Sequence, residues 1–199
     1  MVLSVVALAM LFVFPMWRIT LVAPQYPDGV SMHIWINKIG GDSPGTLQNI
    51  NILNHYVGMK YIEPDAIPEL KYFPMVVIGL MALGLMAAVV NKPWSYLGWA
   101  ALTIVLSVLA FYDFYLWEYD YGHNLSPNAP IKIPGASFQP PLFGVKQIIN
   151  FTAKSFPHIG GYFAGSSIVL ALVAWWVAKR KVASPMASQV GVEAEEVGA

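Results

Sequence analysis

The stretch VLSVVALAMLFVFPMWRITLV, Val2 to Val22, decides the fold, because whether it is one membrane helix sets how many times the chain crosses a bilayer. A spanning helix needs roughly twenty mostly apolar residues, since backbone groups left unpaired in lipid are costly. Here the apolar run ends at Trp17, and span length is reached only by continuing past Arg18 into Ile19 to Val22. No basic segment precedes the run and no small-x-small cleavage site follows it, which disfavours a removable signal peptide. The expectation is an uncleaved first membrane helix over 2–22.

Three further runs point to the same class. Tyr72 to Val90 (YFPMVVIGLMALGLMAAVV) carries Gly79 and Gly84, which allow close helix approach. Residues 94–117 follow after the short break Asn91 to Pro93, a tight hairpin. Residues 161–178 run into WWVAKRK, where Trp175 and Trp176 precede a basic stop. A hydrophobic share of 57%, a charged share of 11% and a mean hydropathy of +0.56 agree with a membrane protein. The fold class expected is therefore an all-α membrane protein. Its four transmembrane helices are 2–22, 72–90, 94–117 and 161–178. Two long outer segments, 23–71 and 118–160, pack as a small cap, and 182–199 form a disordered cytoplasmic tail. Lys92 and the cluster Lys179, Arg180, Lys181 fall on one side, so the positive-inside rule puts both termini in the cytoplasm of a bacterium, with the chain in its inner membrane.

A net charge of +0 argues against nucleic acid, which needs clustered Lys and Arg. With zero cysteines there is no disulfide, thiolate zinc site, iron–sulfur cluster or covalently attached haem. Any metal must be held by His, Met, carboxylate or backbone oxygen. Phosphate loops, nucleophile elbows and paired-histidine zinc helices are missing, so no enzyme is recognised. The partners expected are the lipid bilayer and a membrane or periplasmic protein.

All four histidines fall in the outer segments. In LNHYVGMKYIEP, His55 and Met59 share one face if the segment is helical, a soft pair suited to copper(I). The ordinary alternative has His55 bonded to a carbonyl and Met59 filling the cap core. Met32 and His33 in GVSMHIWI form a second pair, although on a strand only one of them faces a given site. FYDFYLWEYDYGHN gathers Asp113, Glu118, Asp120 and His123. An acid that close to lipid is expensive, which makes Asp113 a functional candidate, with pairing to Arg18 or capping of the second outer segment as the alternative. The metal set expected is thus His55, Met59, His33, Met32, His123 and Asp120, with copper as the cofactor and Asp113 and Glu118 as further candidates. GVKQIINFTAKSF, Gly144 to Phe156, reads as an amphipathic helix at the interface.

At YPDGVSMHIWINKI, LQNINILNHYVGMKYIEP and WEYDYGHNLSPNAPIKIPG the chain resembles a family of small bacterial membrane proteins associated with copper-trafficking genes, among them the nitrous oxide reductase accessory cluster and its NosL-type copper chaperone. The resemblance implies an accessory protein that delivers copper to, or matures, a respiratory metalloenzyme outside the cytoplasm. It brings no catalytic motif, and the Cys-Met motifs of a dedicated copper chaperone are missing from this chain. A second reading is a structural subunit of a respiratory membrane complex with no metal of its own. A third, a membrane enzyme built on Asp113, Glu118 and His123, lacks a nucleophile.

Overall fold

The computed structural model describes residues 1–133, 135 and 137–197, with side chains as far as Lys181. Val2 to Val22 is not one helix. Helix α1 (Val2–Ala9) tightens into a 3-10 turn at Met10–Phe12, and strand β1 occupies Trp17–Ala23. Pro15 lies between them; it lacks a backbone N–H and its ring clashes with the carbonyl four residues back, so the helix cannot run through it. Beyond it Trp17 and Ile19 are buried while Arg18 is exposed, the period of two of a strand. Val2–Phe12 rises about 16 Å, half the thickness of a hydrocarbon core.

The four-helix, all-α expectation is therefore corrected. Three helices are long and apolar enough to cross a membrane: α3 (Glu69–Val90), α4 (Pro93–His123) and Ile159–Lys181 of α5 (Ile159–Val197). The expected disordered tail, 182–199, lies outside the residues whose side chains are described. Helix α1 packs as a half-length wedge against α3 and α5. Gly84 makes room for it, since a Cβ there would press on Val5 and on the Trp99 ring. Ile78, Val89, Leu109 and Val169 face outward, as a lipid-solvated bundle requires.

Strands β2 (Tyr26–Ile34), β3 (Ile39–Gly41), β4 (Gly144–Ile148) and β5 (Phe151–Pro157) join β1 in one sheet of order β3-β2-β1-β5-β4. Every pairing is antiparallel. The interfacial helix expected over Gly144 to Phe156 is instead the β4–β5 hairpin, closed where Ile148 faces Phe151. Its buried positions follow a period of two: Ala153 and Ser155 are buried and Lys154 is exposed. Central β1 pairs with β2 from one long segment and β5 from the other, so both segments lie together at one end of the helices.

On one face of the sheet Ile19 opposes Met32 and Leu21 opposes Val30; on the other Arg18 opposes His33 and Thr20 opposes Ser31. The first face is covered by helix α2 (Thr46–Val57), through Ile50, and by Phe114, Trp117 and Tyr121 of α4. That helix has 31 residues, about 46 Å, which exceeds a hydrocarbon core of about 30 Å. Asp113 lies near Glu69 and Tyr72 at the start of α3. From Phe114 onward α4 has outrun the membrane-length part of the bundle and belongs to the sheet.

Candidate functional site

Packing of the sheet against α2 and the end of α4 leaves a cavity of about 450 Å³. Ile19, Leu21 and Met32 line it from the sheet, Ile50, Leu53 and Val57 from α2, and Trp117, Glu118 and Tyr121 from α4. Phe114, Trp117 and Tyr121 repeat at three and four residues, so one stripe of α4 lies on the sheet, and Glu118 is carried in beside it. Glu118 is fully buried, and neither Oε1 nor Oε2 has a hydrogen-bond partner. No basic residue is among the described residues lining the cavity. Burial alone pushes the carboxyl up to about 8, so at neutral pH it is mostly an uncharged acid with one O–H to donate and a carbonyl to accept.

The segment that closes the cavity is seated by a glycine. Phe138, 2% exposed, lines the cavity, and its N–H donates to the Gly122 carbonyl at 3.0 Å. A Cβ on Gly122 would lie 2.4 Å from the backbone of Gln139. At the rim, Tyr56, Ile131 and Ile149 are exposed. Ile149 sits in the two-residue β4–β5 turn with φ 55°, a left-handed conformation that a β-branched residue rarely adopts.

A second polar group lies on the opposite face of the sheet. His33, 8% exposed, shares a hydrogen bond of 2.6 Å between its Nε2 and Asp42 Oδ1. Its ring stands 5.0 Å from that of His158 at 81°, and His158 Nδ1 is buried with no partner. Burial, with His33 and Arg18 nearby, holds His158 below the usual imidazole range.

The other expected ligands are engaged elsewhere. Gly58, in the left-handed conformation, ends α2 before Met59, so His55 and Met59 never share a helical face. His55 stacks on Tyr61 at 6.0 Å, and Met59 packs toward Phe138 and Ile148, although both border a second hollow of about 520 Å³. His123 stacks on Tyr119 at 4.0 Å with its Nδ1 at 3.0 Å from the Tyr119 carbonyl. Asp120 accepts from Lys60 Nζ at 2.6 Å and from Asn124 Nδ2 at 2.8 Å. Asp113 is half-buried, and no ion pair to Arg18 is found among the described residues. Tested against the copper that the resemblance implies, the expected set does not fit as a unit. No group of three or more His, Asp or Glu able to hold a metal occurs among the described residues. Three of the expected residues do meet: Met32, Met59 and Glu118 all line the apolar cavity. His158 and Phe138 were not singled out in the sequence, because only strand pairing and a loop crossing bring them to their partners.

No protein-family model, curated protein or solved structure matches this chain. What fold and site define on their own is a five-stranded antiparallel sheet at the end of three membrane-length helices, enclosing an apolar cavity with one buried acid.

Proposed function

We propose that this chain is a non-enzymatic membrane protein whose sheet-and-helix cap holds a small lipophilic molecule beside the bilayer. The single observation that carries this is the cavity with Glu118 in its wall: its size falls within the range of ~300–1,000 Å³ typical of small-molecule sites, and its lining is mostly apolar, with Glu118 the one acidic side chain among the described lining residues. Helix α4 lines the cavity with its last turns and continues into its membrane-length part, so a molecule dissolved in the bilayer has a short path to the site. Lys92 and the cluster Lys179, Arg180, Lys181 stand at the end of the bundle remote from the sheet. By the positive-inside rule that end is cytoplasmic and the cap faces outward from a bacterial cytoplasmic membrane.

Native mass spectrometry of the full-length protein, extracted from bacterial membranes and incubated with farnesol, tests the reading. One small molecule per chain is expected on the wild type, and none on Ile50→Trp, which fills the cavity. No adduct on the wild type, or an adduct that survives Ile50→Trp, overturns it.

A copper-handling role is supported by one specific observation, the His33–His158 pair. Asp42 on Nε2 leaves His33 Nδ1 as its remaining ring nitrogen, and His158 Nδ1 is bare. Imidazole nitrogens suit copper(I) better than a hard cation, and a carboxylate behind one of them is the usual second partner of a ligating histidine. Copper(I) titration against a competing chelator is expected to show one ion per chain, lost in His33→Ala and His158→Ala and retained in His55→Ala. Uptake that ignores both substitutions removes this role.

A further inference from the structure

Resting on the cavity as a ligand site, we infer that Glu118 is the recognition point for the polar end of the bound molecule, and that this molecule is an uncharged lipophile ending in a hydroxyl or carbonyl oxygen. The geometry narrows the choice step by step. Glu118 is fully buried, both its oxygens lack partners, and it is itself part of the wall. A buried polar group left without a partner is costly, so an occupant that leaves these oxygens bare gains little from the site. A pure hydrocarbon does that.

A lipid-soluble amine would demand an ionised Glu118. The pair would then be buried among Ile19, Ile50, Trp117 and Phe138, where no lining donor is in hydrogen-bond reach of either carboxylate oxygen. Desolvating both charges costs more than such a singly bonded pair returns. A hydroxyl or carbonyl asks for neither ionisation nor a counter-charge: the neutral acid donates to it, accepts from it, or both. The rim adds an independent sign of an occupant. Ile149 borders the cavity in a left-handed turn position where glycine would be free of strain, and strain of that kind persists where the side chain is needed.

The test uses full-length protein in lipid nanodiscs with three probes of one carbon skeleton: tritiated farnesol, farnesylamine and the hydrocarbon farnesene, with empty nanodiscs as the blank. Farnesol is expected to bind saturably and once per chain. Glu118→Gln, which keeps a neutral hydrogen-bonding group, should weaken it by no more than about threefold, whereas Glu118→Leu should weaken it by about tenfold or more. Farnesene should bind more weakly than farnesol to the wild type and be indifferent to Glu118→Leu. Farnesene equal to farnesol shows that nothing reads the polar end. Farnesylamine tighter than farnesol, and lost in Glu118→Gln, shows that a charge pair is made instead. Either result overturns the assignment of the uncharged oxygen while the cavity stands as a site; no saturable binding of any probe removes both.

Discussion

Glu118 links the stability of the cap to pH, because its carboxyl is dry in the folded chain and solvated in the unfolded one. Its pKa is raised from 4.5 to about 8 by burial, so the folded state holds the proton more tightly. The stabilisation from that proton is full below about 4.5 and is lost as pH rises through about 8. Thermal unfolding of the purified protein is expected to show the midpoint falling by roughly 5–10 °C between the two ends of that window, with Glu118→Gln nearly flat. An equal fall in both proteins would place the titration elsewhere. At Ile149 the expected trade is between strain and contact: Ile149→Gly relieves the left-handed backbone and raises stability by about 1 kcal/mol, but weakens farnesol binding. Thermal unfolding and nanodisc binding measured on one preparation read the two effects separately. At this scale the sequence singled out Glu118, Met32 and Met59, but hid their convergence. Trp117 to Tyr121 is one helical turn, whereas Met32 reaches the same wall through β1–β2 register and Met59 through a helix stop at Gly58.

Elements were legible where the bilayer length rule applies and illegible where two periodicities compete. Helices α3, α4 and the first part of α5 follow the apolar runs at 72–90, 94–117 and 161–178 closely. Val2 to Val22 and Gly144 to Phe156 failed for one reason: short apolar segments with β-branched residues fit a helix by count and a strand by alternation. In the first, Pro15 and Arg18 favour the break; in the second, exposed Lys154 between buried Ala153 and Ser155 favours the strand. The packing of loop on helix at Gly122 carries a prediction of its own. Gly122→Ala must displace the Gln139 backbone, and with it Phe138, at a cost of about 1–3 kcal/mol. Chemical denaturation in detergent should read that loss, with farnesol binding weakened in parallel. A variant as stable as the wild type would show that the loop is not seated there.

For the whole molecule, what mattered was long-range pairing, which no local pattern encodes. Strand β1 is flanked on both sides by hydrogen-bonded neighbours, one close in sequence and one from beyond α4, and the cavity exists only because both are present. The orientation proposed above is testable on a chain with zero cysteines, since single cysteines introduce no background. Asp28→Cys and Lys154→Cys are expected to react with an impermeant maleimide on intact bacterial spheroplasts, and Lys92→Cys only after permeabilisation. The reverse pattern inverts the protein, and labelling of Asp28→Cys and Lys154→Cys from different sides is incompatible with one sheet.

The β1–β5 pairing also sets an order of assembly during synthesis. The ribosome releases β1 before α3 and α4 and β5 only after them, so β1 must wait, half-paired, while the intervening helices insert. Until the later strand has crossed to the same side, the membrane-length rods can be in place with no enclosed chamber above them. A translation product halted before Phe151 is therefore an anchored but open-edged intermediate, the form of this protein most exposed to proteases and to aberrant strand addition.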